Sequence, residues 1–248
     1  MNLMLENGTL LDIIRLVVGT TILLYASYTD IKIRRASNML WVIMGSIGAV
    51  LLAIQYFTIG ISNLIHLIFV PIMIFLMYVL FQLRLIFGGA DAKALMALAI
   101  LVPLHPALYD FPIWKSVMPA PWIIFSNSVI IFLVIPLMLL IYNLGKRNVK
   151  FPYCLLGYKM SVQKAKEKFV WPLEQIKNGK RTFVYMPKEF DVKEELDAFE
   201  KQGIKEIWVT PKIPFMIPLL AGFIASFFLG DILVTGISYI IAIISSIV

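Results

Sequence analysis

Two aspartates stand out for the chemistry they could do together. Asp30 closes the apolar stretch Ile22-Leu-Leu-Tyr-Ala-Ser-Tyr-Thr-Asp30. Asp91 closes Leu85-Ile-Phe-Gly-Gly-Ala-Asp91 and is followed at once by the helix-forming run Ala92-Lys-Ala-Leu-Met-Ala-Leu-Ala. A carboxyl group at membrane level is costly, so its presence there points to function. Two carboxyls that share a proton and a water can hydrolyse a peptide bond. One, ionised, takes a proton from water; the other, protonated, polarises the carbonyl and later protonates the departing amine. Two close acids do not both ionise cheaply and titrate as a pair. Asp91 begins a helix, where the dipole favours a carboxylate, and Asp30 ends one, where it does not; Asp91 is the expected more acidic partner.

For this chemistry the two residues must lie at one depth, and composition tests that. The chain has 248 residues, of which 60% are hydrophobic, with a mean hydropathy of +0.87. That excludes a soluble globule and fits an all-α polytopic membrane protein. Apolar runs near the ~20 residues needed to cross a bilayer cover 10–28, 39–57, 64–87, 91–108, 122–143 and 213–230. About six transmembrane helices are expected, with a small cytoplasmic α+β insert before the last. The expected organisation is a membrane domain over 1–143 carrying both aspartates, the insert over 144–212, and a last span with an apolar tail over 213–248. The tail from Ile232 to Val248 is near the minimum span length; it could continue the sixth helix, fold back or cross again. Continuation or a surface helix is favoured. The first stretch lacks a basic leader and a cleavage site and is read as a retained span.

The formal charge of +7 would suit a nucleic-acid binder, but the basic residues follow the apolar spans too closely for that. Lys32, Arg34 and Arg35 lie between spans one and two, Arg84 and Lys93 around the third-to-fourth junction, and 15 more in 144–212: 20 of the 22. Arg15 and Lys115 alone fall on the other side. The positive-inside bias makes the basic side cytoplasmic and the N-terminus external. Both Asp30 and Asp91 then fall at the cytoplasmic boundary of the cell membrane. Glu6, Asp12, Asp110 and Asp231 map to the outer side, as solvated or interfacial groups. Trp41, Trp114, Trp122, Tyr142 and Tyr153 read as interfacial anchors.

Within the insert, Thr182 to Met186 alternates as a strand closed by Pro187. Asp191 to Gln202 reads as a helix capped by Asp191 and ended by Gly203, and Glu206 to Thr210 as a second strand. The insert has 15 basic and 9 acidic residues. Cys154 is the single cysteine, so no internal disulfide forms, and it reads as a structural residue. His66 and His105 are far apart in sequence, which leaves no histidine metal cluster; no metal or cofactor is expected. There is no Gly-x-Ser-x-Gly elbow, and Ser126 and Ser128 have no membrane-level lysine beside them. Gly88, Gly89 and Ala90 permit a tight loop and close backbone approach ahead of Asp91. Ala92, Ala94, Ala97 and Ala99 let span four pack closely.

At these residues the chain resembles the type IV prepilin peptidases, and most of all their archaeal branch, the preflagellin (archaellin) peptidases. These are intramembrane aspartyl proteases with a Gly-x-Gly-Asp motif. Here the motif reads Gly88-Gly89-Ala90-Asp91, followed by Ala92-Lys93, with Ala90 departing from the second glycine. The resemblance extends to Tyr28-Thr29-Asp30-Ile31-Lys32, to the six-span plan with its insert, and to Glu206-Ile-Trp-Val-Thr-Pro-Lys-Ile-Pro214. It implies Asp30 and Asp91 as the catalytic pair and Gly88, Gly89, Ala90 and Lys93 as motif support. It also implies a reaction: removal of leader peptides from archaellin or type IV pilin-like precursors at the cytoplasmic face. No four-cysteine module and no methyltransferase domain is present.

Substrates of that kind carry a basic leader. Asp191, Glu194, Glu195, Asp197 and Glu200 could attract it, although a solvated amphipathic helix is the favoured reading. Two other functions share some of these features. A presenilin-like protease uses the same two-aspartate chemistry on other membrane proteins. A proton-coupled transporter would use the acids as a relay, but relay acids lie nearer the midplane. The bilayer and the precursor are thus the expected partners, with no nucleic acid.

Overall fold

The computed structural model describes residues 2–33, 35–61, 64–83, 85, 88–168, 170–177, 179–184, 192–211 and 214–247. Arg34, Arg84, Ile86, Phe87, Met186, Pro187 and the cap expected at Asp191 lie outside the described residues.

The chain is mostly helical. Four helical stretches are long and apolar enough to cross a membrane: Gly8–Ile33, Asn38–Thr58, Leu64–Gln82 and Ala120–Gly145. They belong to α1 (Asn2–Ile33), α2 (Asn38–Thr58), a 3-10 turn (Leu64–Ile68) leading into α3 (Phe69–Gln82), and α5 (Ala120–Gly145). The fourth and sixth expected spans are shorter. α4 (Gly89–Leu101) and α9 (Met216–Phe228) have 13 residues each. At 1.5 Å per residue that is about 20 Å, against ~30 Å of hydrocarbon. α4 stops because Pro103 follows, which the helix cannot continue through. The segment 102–119 is irregular.

The apolar tail does not continue the sixth helix. α9 ends at Phe228 and α10 (Ile232–Ile247) starts anew. Gly230 takes a φ of 91°, and a Cβ there would sit 1.9 Å from the Trp114 carbonyl oxygen, so only glycine fits. Asn127 of α5 holds the break from both sides: its Nδ2 donates to the Gly230 carbonyl and its Oδ1 accepts from the Ile232 N–H. Asp231 caps α10 through the Val234 N–H and accepts from Ser116 Oγ.

The chain divides into two compact units, 1–132 with 214–248, and 133–213. The first is held together by small residues. A Cβ on Gly48 of α2 would lie 2.6 Å from the Cα of Leu101, so α2 and α4 meet backbone to backbone. Gly19 of α1 receives the ring of Phe223, and Gly222 of α9 lies against the backbone of Ser128 in α5. Ala92, Ala94, Ala97 and Ala99 of α4 are all buried, as their small size suggested. Ser126 and Ser128 donate to the carbonyls of Ile123 and Ile124 on their own helix.

Several polar residues lie deeper than the sequence suggests. Arg15 is 2% exposed; its guanidinium donates to Asp12 Oδ1 and Gln55 Oε1, while Asp12 Oδ2 accepts the Ala107 N–H. Asp12 and Asp231 are therefore buried and bonded, not solvated or interfacial, and Arg15 is an internal ion-pair partner. Trp41 and Tyr153 are buried too, whereas Trp122 is exposed. Residue type marks an amphipathic side chain, but not which face of its helix finds a neighbour.

The second unit contains the end of α5, α6 (Tyr153–Leu156), β1 (Tyr158–Ser161), α7 (Val162–Glu167), β2 (Val170–Pro172), β3 (Glu174–Lys177), β4 (Lys180–Phe183), α8 (Val192–Lys201) and β5 (Glu206–Pro211). β5 is the central strand of an antiparallel sheet ordered β1-β5-β2, with Tyr158 opposite Val209 and Val170 opposite Pro211. β3 and β4 form a hairpin turned through Gly179, at φ 74°. Alternation along β5 serves both faces. Ile207 and Val209 join Leu196 and Phe199 of α8, while Trp208 joins Tyr153, Cys154 and Leu173. α8 ends at Lys201, with Gly203 at φ 69° just beyond. Lys166 donates to both Asp197 and Glu200. Its ammonium holds the Asp197 carboxyl below the usual range, first through that hydrogen bond and then through its charge.

Gly48→Val should drive α2 and α4 apart. Because the obstacle is backbone, we expect a loss of about 1–3 kcal/mol, read as a lowered melting temperature in detergent. Gly145→Ala, where a Cβ meets nothing within 4 Å, should change stability by less than ~0.5 kcal/mol.

Candidate functional site

Asp30 lies in the last turn of α1 and Asp91 in the first turn of α4. Both are half-buried. α4 packs against α2 and α3 and also touches α1. The two acids are close enough for the charge of Asp30 to act on Asp91.

The residues before Asp91 shape its surroundings. Gly88 is the extended N-cap of α4. A Cβ built on it would fall 2.0 Å from Asp91 Oδ2 and 2.7 Å from its Cγ. The Asp91 carboxyl thus occupies the space that any other side chain at position 88 would fill. At Gly89 a Cβ would press on the Phe81 ring at 3.2 Å. Ala90 packs its methyl group against the helical core, so the extra carbon relative to glycine is accommodated. Lys93 Nζ donates to Asn38 Oδ1 at 2.9 Å. That bond pins the start of α4 to the start of α2, where Ser37 caps the helix by accepting from the Met39 N–H.

Around Asp30, Thr29 Oγ1 donates to the Ala26 carbonyl, and Lys32 Nζ lies 3.4 Å from Tyr28 OH and 5.7 Å from the centre of that ring. The i, i+4 spacing of Tyr28 and Lys32 was the available signal for this pairing. Nothing in the sequence near Asn38 marked it as the partner of Lys93, because the contact joins two helices.

His66 and His105, remote in sequence, are neighbours in space: their rings pack edge to face with centroids 5.2 Å apart. The sequence separation that argued against a histidine cluster therefore did not hold in three dimensions. Among the described residues no group of three or more His, Cys, Asp or Glu is placed to hold a metal ion. In the second unit, Glu174 is buried and engaged by Arg181 and by the Trp208 N–H. Asn143 Nδ2 faces the carbonyls of Leu139, Cys154 and Gly157. These are structural ties that composition did not single out.

Fold and site define a multi-pass helical membrane protein with an acidic pair at the ends of two adjoining helices. The chain belongs to the type IV leader peptidase family, whose model it matches over residues 17–144, and it is a peptidase. Residues 149–232 match a second model, the archaeal peptidase A24 C-terminus, type II. Curated relatives extend along nearly the whole chain. A preflagellin peptidase of Methanococcus voltae is 30% identical over 233 residues, covering 86% of this chain and 94% of that protein. Preflagellin peptidases of Methanococcus maripaludis and Methanocaldococcus jannaschii are 27% and 26% identical; each match covers 88% of this chain, and 96% and 94% of those proteins. Family membership supports leader-peptide processing and sets the transporter reading aside.

Gly88→Ala should displace the Asp91 carboxyl while sparing the fold, since the atom in the way is the mobile end of a side chain. We expect an unchanged melting temperature and, with Asp91 in the expected catalytic role, a leader-cleavage rate lower on the order of 10²-fold, as for a misplacement of about 1 Å at a reacting centre. Initial rates on a leader-bearing precursor check this; an unchanged rate would contradict it.

Proposed function

We propose that this chain removes the leader peptide from archaellin or type IV pilin-like precursors, with Asp30 and Asp91 as the catalytic pair. The observation that carries the proposal is the contact of α1 with α4: two half-buried acids on touching helices, within the region matched by the leader peptidase family. The relatives named as preflagellin peptidases support the substrate class. They favour it over a presenilin-like action on other membrane proteins.

In the proposed reaction one carboxylate takes a proton from a water held between the acids. The water oxygen adds to the scissile carbonyl carbon as the protonated partner donates a hydrogen bond to the carbonyl oxygen. The tetrahedral intermediate collapses when the amide nitrogen receives a proton and the C–N bond breaks. A free carboxylate on the leader and a new amino terminus on the mature protein result. The proton passes between the two acids during one turnover, so they act as one unit rather than as separable contributors. Gly88 leaves room for the Asp91 carboxyl, and Lys93 with Asn38 fixes the helix end that carries it.

The bias of basic residues supports a cytoplasmic placement of the site in the cell membrane, with the N-terminus outside. On α8, Asp197 and Glu200 are already matched by Lys166, which leaves less negative charge to attract a basic leader than composition suggests.

Asp30→Asn and Asp91→Asn should each lower cleavage by at least about 10²–10⁴-fold, the range of general acid–base catalysis. The double variant should lose little more. Cleavage is followed by the new N-terminus of an archaellin precursor, and retained activity in either single variant would refute the pair. Orientation has its own check. With Cys154 buried as the single native thiol, a cysteine at exposed position 164 should react with an impermeant maleimide only after membranes are opened. One at position 115 should react in intact cells.

A further inference from the structure

The second compact unit holds a cavity whose lining includes neither Asp30 nor Asp91. α5 ends at Gly145, and the chain leaves it through Arg147, at φ 56°, into the loop that reaches Phe151. That loop carries two kinds of side chain. Val149 and Phe151 are exposed, at 58% and 78%, as is Leu144 at the end of α5, and Lys146, Arg147 and Lys150 stand among them. α5 is long and apolar enough to cross a membrane, so its end falls at headgroup level. Exposed aromatic and aliphatic groups beside cations are the composition of an interfacial segment.

Next to this loop is a cavity of about 490 Å³. Arg147, Lys150, Lys159 and Arg181 line it, together with Tyr153 and Trp208. Lys150 Nζ lies 4.7 Å from the centre of the Tyr153 ring, and Lys159 Nζ lies 5.8 Å from that of Trp208. The ring faces hold the two ammonium groups in place without neutralising them. Two carboxylates also line the cavity. Glu174 is matched by Arg181 and by the Trp208 N–H, and Glu206 lies at the exposed start of β5. The remaining charge is positive.

We infer that this cavity binds the phosphate headgroup of an anionic membrane lipid. Lys150 and Lys159 are its main charge contacts, and the apolar loop side chains lie along the lipid's chains. A free inorganic phosphate offers the same charge but nothing for Val149 and Phe151 to cover, which is why the lipid is the occupant. Lysines near a membrane surface contribute to anionic-lipid affinity by about fivefold each.

The test is native mass spectrometry of the full chain released from detergent, titrated with phosphatidylglycerol, phosphatidylcholine or sodium phosphate. The chain should retain one phosphatidylglycerol tightly and phosphatidylcholine at least about fivefold more weakly. Millimolar phosphate should not displace it. The K150Q/K159Q variant should lose affinity by about 25-fold, and K150E/K159E at least as much. A charge-matched surface variant, K164Q/K193Q, should bind as the parent does. Melting temperatures establish that each variant is folded; should the glutamate pair unfold, the glutamine pair decides. Equal retention of both lipids, displacement by phosphate, or equal loss in the surface control would overturn the inference. So would an unchanged affinity in folded K150Q/K159Q.

Discussion

The seat of α4 against α2 is the contact on which the site depends. α4 is too short to be placed by its own length in a bilayer. Its depth and rotation come from its neighbours, and the closest approach is Gly48 to the backbone of Leu101. Lipid offers apolar side chains no less than a protein core does, so helices in a membrane gain little from hydrophobic burial and much from close contact. The alanines of α4 and the glycines of α2 supply that contact. With the C-terminal end of α4 anchored there, and its N-terminal end tied by Lys93 to Asn38, the start of the helix has little freedom. Asp91 is carried on that start.

The same apolar setting decides how the other polar groups are treated. Arg15 and Asp12 are paired and further bonded across to α2 and to the 102–119 segment. Asn127 and Asp231 together satisfy the backbone freed where α9 breaks from α10. An unsatisfied polar group in hydrocarbon costs several kcal/mol, so each of these is a tie as well as a buried group. They join elements remote in sequence, at the ends of the helices away from Asp30 and Asp91. One end of the bundle is thereby tied by these buried polar bonds, while the other, tied by Lys93 to Asn38, presents acids at helix termini.

Much of this was legible in the sequence because membrane chemistry leaves strong local marks. The apolar runs and the small residues of α4 each follow from a one-dimensional rule, and the motif around Asp91 needed only adjacency. What was not legible depended on neighbours. Pro103 sits inside an apolar run, so hydropathy carried the fourth span to Leu108 although the helix stops at Leu101. The burial of Asp12, Trp41 and Tyr153 is set by which helix face meets another, and His66 and His105 meet only because the chain folds. Gly230-Asp231 could have been read as a stop followed by a cap, where continuation or a surface helix was favoured.

The proposed chemistry has Asp30 and Asp91 meet around one scissile bond. It is tested most directly by cross-linking in membranes: a chain carrying Cys154→Ala, Asp30→Cys and Asp91→Cys, with an archaellin precursor bound, is treated with a short bifunctional thiosulfonate. An intrachain link between positions 30 and 91 is expected, and none when Lys115→Cys replaces Asp91→Cys. Two cysteines at 30 and 91 that each react singly yet never link would contradict it.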